Sequence, residues 1–363
     1  MERDLWEYLK KTHKPIVLYG MGNGADKIVS VLKNKEIPFK GIFASSGFVR
    51  NKTVYGLPLE SYSTLKERFG KMIVLLCFGT HRADVMENIK RISKEQELYA
   101  PEVPVVGQGL FNKEYYEENR GEFEKIYSLL ADEKSKSTFQ NIIKYKISGK
   151  IDYLTECEAD PQEPYISFLN NRGNEVILDL GAYNGDTALE FSAVFPDYSK
   201  IIAVEPDKKT YKKLLLNTEN VRDIDCHNIC ISDFTGRGFF LMNGGRNSLV
   251  GEGEETDFIT VDDLGLRENV TLIKMDVEGE EAKAIIGAKE TILRHKPRLI
   301  ISAYHRTEDF LRLPKEVFSI RNDYKIYMRH FPSLPAWDTV YKETSSTTAE
   351  TFRYLSVTIK ISF

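Results

Sequence analysis

The sequence of 363 residues has little of what marks secreted, membrane or fibrous proteins. Its four cysteines, Cys77, Cys157, Cys226 and Cys230, are too few and too scattered for a disulfide framework. The longest apolar run, Met72 to Phe78, is far shorter than the ~20 residues that span a bilayer. The start, MERDLWEYLKKTHKP, is charged and lacks the apolar core of a signal peptide. We therefore expect a cytoplasmic protein in a reducing setting, with no membrane span.

An excess of charge of either sign is also missing. The formal net charge is -4, from 50 basic and 54 acidic residues. The chain thus lacks the positive surface of a general nucleic-acid binder, and no nucleic-acid partner is expected. Hydrophobic residues make up 42% and charged residues 29%, which is typical of a globular protein. At roughly 150 residues per domain, the length predicts two domains.

The first α/β pattern occupies the N-terminal third of the chain, where predicted strands and helices alternate. Such alternation indicates a parallel sheet with both faces covered. The predicted elements are strands at Ile16–Tyr19, Phe39–Phe43 and Met72–Phe78 and helices at Ala25–Leu32 and Ala83–Ile92. Apolar residues then recur at helical spacing, with a helix at Ser135–Ile143 and a possible end at Gly149. We predict a small α/β domain over 1–112 and a helical linker over 113–172.

The second α/β pattern is longer. Predicted strands lie at Val176–Leu180, Ile201–Val204, Asp225–Ile231, Thr271–Met275, Arg298–Ser302 and Tyr324–Arg329. Predicted helices lie at Thr187–Phe195, Lys208–Leu216 and Glu280–Leu293. This order is typical of a doubly wound sheet, and we predict a domain over 173–342. The remainder, 343–363, is an atypical tail whose end, Leu355–Phe363, alternates like an edge strand.

The segment ILDLGAYNGDT, residues 177–187, joins the first strand of this domain to a helix. Gly181 and Gly185 allow the backbone to approach a ligand because they carry no Cβ. Thr187 lies near the helix start, where exposed amides need an acceptor. The acid Asp179 would repel a pyrophosphate but suits a ligand with an ammonium or sulfonium centre. A tight turn that binds nothing is the alternative interpretation.

Acids also follow the next two predicted strands. Glu205 ends the second strand, where a carboxylate can accept both hydroxyls of a ribose. Asp233 ends the third strand and could accept from an adenine amino group. A solvated strand end is the alternative for Glu205, and ordinary Ser-Asp turn chemistry is the alternative for Asp233.

These residues in this order resemble class I S-adenosylmethionine-dependent methyltransferases. The block KMDVEGEE, residues 274–281, has the spacing K-x-D-x-E-G-x-E. With FITVDDL at 258–264 and the pair Gly287-Ala288, it narrows the resemblance to the FkbM family of methyltransferases. The resemblance covers about Glu175 to Tyr341. It implies an α/β fold: a doubly wound class I methyltransferase sheet plus a smaller N-terminal Rossmann-like α/β domain, joined by a helical linker.

The resemblance also implies S-adenosyl-L-methionine as cofactor and O-methylation as the reaction. The acceptor would be a hydroxyl of a sugar, a glycan or a secondary metabolite. The predicted cofactor-binding residues are Asp179, Gly181, Gly185, Thr187, Glu205 and Asp233. An NAD-dependent oxidoreductase and a non-catalytic scaffold that keeps the fold are the alternative functions.

Asp276, Glu278 and His305 are the predicted catalytic residues. They follow two strands whose carboxyl ends should border the site, because ligands bind there in doubly wound sheets. Histidine has an unperturbed pKa of about 6.5, so His305 can take a proton at neutral pH. Asp276 would orient it, hold the acceptor or act as base itself, and Glu278 would bind a substrate hydroxyl. The main interpretation includes no metal. The alternatives are an ion that bridges all three residues, and a His305 that is merely stacked on Tyr304 or solvated.

Two further motifs carry less weight. On one strand, Cys226 and Cys230 would share a face with Asn228 while His227 faces away, which cannot form a tetrahedral metal site. Buried thiols are expected there instead. The loop GGRNS, residues 244–248, corresponds in the resembling family to an insertion beside the acceptor site, and a flexible hairpin is the alternative.

The N-terminal domain carries a glycine turn of its own, at Gly20, Gly22 and Gly24. It follows a strand and precedes a helix, as a dinucleotide site requires, but no acid ends the next strand to bind a ribose. We expect this domain to be an accessory module that recruits substrate or forms a homodimer, and to contribute no catalytic group.

Overall fold

The structure is a computed structural model in which two compact units are distinguished. It describes residues 2–45, 52–159, 173–241, 249–250, 254–336 and 339–345. The first unit comprises Met1–Ser128, Asp132–Glu158 and Arg329–Thr339. The second unit comprises Leu129–Ala131, Ala159–Met328 and Val340–Phe363.

Six described strands form the sheet of the first unit. They are β1 (Ile16–Tyr19), β2 (Gly41–Phe43), β3 (Thr53–Val54), β4 (Leu57–Glu60), β5 (Ile73–Leu76) and β6 (Glu97–Tyr99). Their spatial order is β3-β4-β2-β1-β5-β6, and only β3 and β4 pair antiparallel. Every residue of β1 and β5 is buried, as expected of parallel strands covered on both faces.

Helices flank these strands and continue to the end of the predicted linker. They are α1 (Leu5–Lys11), α2 (Asn23–Asn34), α3 (Tyr62–Phe69), α4 (Ala83–Glu95), α5 (Lys113–Glu118), α6 (Arg120–Leu129), α7 (Glu133–Ser148) and α8 (Asp152–Cys157). Helix α7 is longer than predicted because Asp132 caps it, accepting from the amide of Ser135 at 2.7 Å. Gly149, with a φ of 66°, ends it as predicted. Residues 160–172 of the predicted linker lie outside the described residues.

The remaining described strands lie wholly or mostly in the second unit. They are β7 (Val176–Leu180), β8 (Lys200–Val204), β9 (Ile224–His227), β10 (Cys230–Ile231), β11 (Gly236–Leu241), β12 (Leu249–Val250), β13 (Glu254–Ile259), β14 (Leu272–Met275), β15 (Arg298–Ser302), β16 (Tyr324–His330) and β17 (Thr339–Ser345). Seven of them form a sheet in the order β16-β17-β15-β14-β7-β8-β9. Strands β15, β14, β7, β8 and β9 run parallel, and the chain order reverses at β7. This is a doubly wound sheet.

Two predicted helices of the second unit are present, a third is divided in two, and the final helix was not predicted. The helices are α9 (Asp186–Val194), α10 (Lys208–Asn217), α11 (Glu281–Gly287), α12 (Lys289–His295) and α13 (Asp309–Ile320). The predicted single helix Glu280–Leu293 is wrong, because the helix is interrupted at Ala288, between α11 and α12. The carboxylate of Asp262 accepts from the amides of Glu290 and Thr291 at 2.9 and 2.8 Å, and so caps the start of α12.

The predicted strand Asp225–Ile231 is also wrong, because it divides into β9 and β10. Strand β10 joins a separate four-stranded sheet of described strands, in the order β10-β13-β11-β12. Between them, Asn228 donates from Nδ2 to the carbonyl oxygens of Glu205 and Pro206, both at 2.9 Å, and so leaves the ladder. Cys226 and Cys230 therefore belong to different sheets and do not share a face.

The same division corrects the placement of Asp233. It follows β10 rather than the third strand of the large sheet, and it lies exposed in a bend. Its Oδ1 accepts from the hydroxyl of Ser232 at 3.1 Å. The side chain of Asp233 is exposed to solvent, but the prediction that it follows the third strand of the large sheet is wrong.

The last described strand uses residues that the sequence assigned to the tail. Strand β17 pairs antiparallel with β15, with Tyr341 opposite Ile301 and Glu343 opposite Leu299. Residues 343–345 thus continue the sheet. The predicted edge strand Leu355–Phe363 and the loop 244–248 lie outside the described residues.

The structure bears on two general expectations, which concern the cysteines and membrane-spanning helices. All four cysteines lie within the described residues and carry free thiols. Over the same residues, every helix falls short of the length or the apolar character needed to cross a membrane.

Candidate active site

The predicted site residues gather at one edge of the doubly wound sheet. Asp179 lies on β7, Glu205 follows β8, Asp276 follows β14 and His305 follows β15. These four strands are parallel neighbours in the order β15-β14-β7-β8. Because the carboxyl ends of parallel strands share an edge, the fold brings together residues 126 positions apart in sequence (179 to 305).

Asp179 is fully buried and forms an ion pair with Lys274, its register partner on β14. The distance from Nζ of Lys274 to Oδ1 of Asp179 is 3.1 Å. Burial lowers the pKa of Lys274, but Asp179 and Asp276 outweigh this effect and raise the pKa, so the amine stays charged. Lys274 also donates to the carbonyl oxygen of Gly181 at 2.8 Å. Lys274 thus compensates the charge of Asp179 within the protein.

Gly181 and Gly185 are required by packing inside the protein. Gly181 has a φ of 79°, and a Cβ there would lie 1.9 Å from the carbonyl oxygen of Asp276. Gly185 has a φ of 91°, and its Cβ would lie 2.7 Å from Cγ2 of Thr218, at the end of α10. The two glycines thus let the turn contact β14 and α10. The close contact with the end of α10 gives Gly185 a packing role, and its cofactor role stays a prediction.

We expect Gly181→Ala to lower the free energy of unfolding by more than about 2 kcal/mol, because the new Cβ overlaps a backbone oxygen. Gly265→Ala is the matched control. Gly265 also has a positive φ, 68°, but nothing lies within 4 Å of its Cβ position. Its cost should be only the ~1 kcal/mol of a left-handed alanine. Urea unfolding compares the two variants, and equal costs would contradict the close approach of the turn to β14.

Thr187 does not cap the helix, so that prediction is wrong. Helix α9 begins at Asp186, directly after Gly185, without a side-chain cap from the N-cap residue. The amide of Thr187 donates to Oδ1 of Asp186 at 2.8 Å. The amide of Asp186 donates to Oδ1 of Asn184 at 3.3 Å. Local Asn and Asp side chains thus supply the acceptors, as they commonly do at helix starts.

Glu205 is buried, with 8% of its surface exposed, so the alternative of a solvated strand end is excluded. Its Oε2 accepts from the amide of Tyr183 at 3.0 Å, and its Oε1 accepts from the amide of Asp207 at 2.8 Å. Burial raises the pKa of Glu205 to about 7, although both amides act to lower it. Glu205 ties the glycine turn to the end of β8, and each oxygen can accept one more hydrogen bond.

The loop after β14 presents two acids to the same edge. Glu278 and Gly279 both have positive φ, 55° and 93°, so the chain turns sharply there. The fully buried carboxylate of Glu281 organises this turn. Its Oε1 accepts from the amides of Val277 at 2.9 Å and Gly279 at 3.4 Å. Asp276 and Glu278 remain about one-third exposed, with side-chain exposures of 33% and 30%.

His305 lies buried beneath these acids, with 1% of its surface exposed. Its Nδ1 is 2.9 Å from Oε1 of Glu281, and its Nε2 is 3.5 Å from Oδ1 of Asp276 and 3.7 Å from Oε2 of Glu278. Burial lowers the pKa of His305, but Glu281, Asp276 and Glu278 outweigh burial and raise it to about 9. The imidazole is therefore protonated at neutral pH. The expectation that His305 takes a proton there does not hold in this geometry.

Asp276 is the carboxylate best placed to contact a substrate. Its Oδ1 accepts from the hydroxyl of Tyr304 at 3.1 Å. Desolvation raises the pKa of Asp276, but Lys274 and His305 outweigh it and hold the pKa below its ordinary value. Asp276 is therefore ionised at neutral pH, and it is open to solvent where His305 is not. The ring of Tyr304 packs on that of His305 with centroids 4.2 Å apart, as the alternative for His305 anticipated.

The glycine turn of the first unit is also filled by packing. It joins β1 to α2, as predicted. A Cβ at Gly24 would lie 2.5 Å from the carbonyl oxygen of Cys77, and one at Gly20 would lie 2.4 Å from the ring of Phe78. After β2 come Ala44 and Ser45, neither of them acidic, and 46–51 lie outside the described residues. The described residues after β2 thus supply no carboxylate for a ribose.

The part of the chain that forms the site at the edge of the large sheet matches a known protein family. Residues 179–326 match the family described as the methyltransferase FkbM domain. This part of the chain is an FkbM methyltransferase domain. The match begins at Asp179 and includes the whole block KMDVEGEE, so the resemblance drawn from the sequence is confirmed.

Solved structures show how far the fold of the chain extends beyond the FkbM domain. The methyltransferase FkbM from Methylobacillus flagellatus KT is 23% identical, with a TM-score of 0.69 over 93% of this chain and 92% of that one. The predicted α/β fold with a class I methyltransferase sheet is thereby confirmed, and the similarity covers most of both units. A comparison with curated proteins found no match.

Smaller solved structures match about half of the chain. Fibrillarin from Aeropyrum pernix, in complex with S-adenosyl-L-methionine, is 19% identical over 47% of this chain and 66% of that one, with a TM-score of 0.32. SMU.1697c from Streptococcus mutans, a possible methyltransferase in complex with SAH, is 12% identical over 48% of this chain and 89% of that one, with a TM-score of 0.32.

The FkbM domain contains site residues that sequence reasoning missed. Lys274 and Glu281 hold the glycine turn and the acidic loop in place, yet neither was selected as a site residue. Both belong to the K-x-D-x-E-G-x-E block, so the spacing itself contained the signal. The sequence suggests only a stacking role for Tyr304, next to His305, and the contact of its hydroxyl with Asp276 has no sequence signature.

Proposed function

We propose that the protein is an S-adenosylmethionine-dependent O-methyltransferase whose acceptor is a hydroxyl of a sugar, a glycan or a secondary metabolite. One observation carries the proposal. Buried Glu205 and ionised Asp276 flank the same glycine turn, at strand ends on either side of β7, within an FkbM methyltransferase domain. The first acid would bind the cofactor and the second would contact the acceptor.

The residues around the glycine turn fit this cofactor. Glu205 is buried but retains acceptor capacity on both oxygens, which suits the two hydroxyls of a ribose. Apart from the ion pair with Lys274, neither carboxylate oxygen of Asp179 receives a hydrogen bond within the described parts of the chain. Asp233 is exposed and can accept from an adenine amino group. When bound, S-adenosylmethionine would supply an electrophilic methyl group on its sulfonium sulfur.

Asp276 and Glu278 would receive the acceptor hydroxyl. Holding that oxygen in line for attack provides much of the rate enhancement in such a transfer. As an alcohol oxygen attacks, it gains positive charge and its proton becomes acidic, so an ionised carboxylate suffices to remove it. Asp276, ionised and one-third exposed, would take this proton. His305, buried and charged, would act as a positioning residue that holds both carboxylates.

Calorimetry with S-adenosylhomocysteine tests the cofactor part of the proposal. We expect binding to the wild-type protein, and Glu205→Gln to weaken it by about tenfold to a hundredfold, because a charged hydrogen bond is worth about 1.5–3 kcal/mol. NAD is the comparison ligand. Binding of NAD without S-adenosylhomocysteine would favour the oxidoreductase instead.

The pH dependence of this binding separates the role of Glu205 from general damage to the turn. Ribose hydroxyls donate, so the carboxylate form of Glu205 binds them, and its pKa of about 7 makes that form scarce in acid. Affinity should therefore rise about tenfold between pH 6 and pH 8. The charges of Asp207 and Lys274 act on Glu205 in opposite directions and remain in both proteins. In Glu205→Gln this rise should disappear; an unchanged pH profile would remove Glu205 from the cofactor site.

Labelled S-adenosylmethionine tests the reaction itself. The protein is incubated with the labelled compound and with cell glycan and metabolite extracts. Transfer to an alcohol yields an ether, which resists mild base, whereas a carboxylate acceptor yields an ester that base removes. We expect base-stable label; base-labile label would contradict the proposed acceptor class.

A further inference from the structure

A group of metal-ligating atoms converges at the base of the acidic loop. One ligand atom each from Asp276, Glu281 and His305 lies within 4.8 Å of the other two. Metal bonds of about 2.0–2.2 Å place neighbouring ligand atoms roughly 3–4 Å apart, so small side-chain rotations would close this set around an ion. Oε2 of Glu278, 3.7 Å from Nε2 of His305, lies within reach as a further oxygen donor.

A second observation points to a ligand in the same place. Glu281 is fully buried, and its Oε2 has no hydrogen-bond donor among the described residues. His305 is nearly as buried, and its Nδ1 lies beside Oε1 of Glu281 without the geometry of a hydrogen bond. A buried acceptor left without a donor costs about 1–3 kcal/mol, and more when it is charged. A cation in this space would satisfy both groups.

The charge around His305 is unbalanced as well. Three carboxylates lie within 3.7 Å of its two nitrogens. The adjacent Arg306 already pairs with Glu280, and Lys274 pairs with Asp179. Buried carboxylates in excess of cations are costly unless a partner compensates them. Because a metal-bound histidine is neutral, a divalent ion would replace the proton of His305 and compensate the surrounding carboxylates.

We propose that Asp276, Glu281 and His305 bind a divalent transition-metal ion, with Glu278 as a further donor. Carboxylates combined with one imidazole form a mixed donor set that suits Mn²⁺, Fe²⁺ or Zn²⁺. Asp276 and Glu278 are partly exposed, which gives an ion a path from solvent and leaves room for a substrate oxygen. The ion-binding step stands independently of the reaction. The role of the ion, which is to hold the acceptor hydroxyl beside Asp276, rests on the proposed function.

Mn²⁺ titration of the full chain, freed of metals with EDTA and dialysed, tests this site. We expect one saturable Mn²⁺ per chain by electron paramagnetic resonance, and a nitrogen coupling from His305 in the spin-echo spectrum. His305→Gln should abolish that coupling, and both His305→Gln and Asp276→Asn should weaken Mn²⁺ binding at least tenfold. Zn²⁺ and Mg²⁺ serve as competitors, and we expect Zn²⁺ to displace Mn²⁺ more effectively.

Asp257→Asn provides the matched control. Asp257 lies on β13 with a side-chain exposure of 69%, outside the cluster, and should not affect Mn²⁺ binding. Absence of saturable binding in the wild-type protein, or binding without nitrogen coupling, would overturn the proposal whatever the variants do. S-adenosylhomocysteine calorimetry on the same metal-free protein keeps the two proposals apart. Cofactor binding without Mn²⁺ binding would overturn the metal site alone, and Mn²⁺ binding without cofactor binding would overturn the proposed function alone.

Discussion

Lys274→Met should lower the free energy of unfolding by about 3–5 kcal/mol, because it leaves the carboxylate of Asp179 buried without a counter-charge. It also removes the donor to the carbonyl oxygen of Gly181, so the glycine turn loses its link to β14. Urea-dependent hydrogen exchange of peptides from β7 and β14 measures the loss where it arises.

Two further variants make this expectation specific. Asp179→Asn combined with Lys274→Met removes both charges, so the double variant should be more stable than Lys274→Met alone. Lys200→Met breaks an exposed pair with Asp225, whose side-chain exposures are 29% and 52%, and should cost less than about 1 kcal/mol. A similar cost for the buried and the exposed lysine would show that Asp179 does not depend on Lys274.

Asp276→Asn should lower kcat for methyl transfer by about a hundredfold or more, because the amide cannot take the proton of the acceptor hydroxyl. Asparagine keeps the size of the side chain and still accepts from the hydroxyl of Tyr304. The Kd for S-adenosylhomocysteine should therefore change little. Radiolabelled transfer to the best acceptor, measured beside calorimetry, gives both quantities.

Asp263→Asn is the control for this second prediction. Asp263 is exposed, accepts from the hydroxyl of Thr235 and follows β13, a strand of the four-stranded sheet rather than of the doubly wound sheet. Its kcat should match that of the wild-type protein. An unchanged kcat in Asp276→Asn would contradict the proposed role of Asp276, and an equal loss of cofactor binding would show that Asp276 supports the turn instead.

The regular elements of the FkbM domain followed from local sequence. Strands β7 and β15 begin and end where predicted, because runs of apolar residues bounded by turn residues determine a buried strand locally. Errors arose where a distant side chain decided a boundary. Asn228 ends β9 by bonding to the chain after β8, and Asp262 starts α12 from a separate loop. Neither contact is predicted by a periodic pattern or a fixed spacing in the sequence.

In the candidate site, too, local features were predictable from the sequence and long-range contacts were not. Glycines, acids and their order along the chain were sufficient to name Asp179, Glu205, Asp276 and Glu278 and to predict which strand ends they follow. Their partners were not predictable, because each is contributed by another strand or loop. The sequence attributed Gly185 only to a ligand and did not show that Thr218, just after α10, lies against it.

The sequence by itself determined the doubly wound architecture and the edge at which the acids meet, since both follow from the alternation of strands and helices and from strand polarity. Only the tertiary structure decided the charges at that edge. A pKa depends on burial and on every charge within a few ångströms, and these are sums over residues distant in sequence. Asp276 and Glu278 from the loop after β14, with Glu281 at the start of α11, raise the pKa of His305, and Lys274 pairs with Asp179. If the same strands paired in another register, each acid would have different neighbours and therefore a different pKa and chemical role.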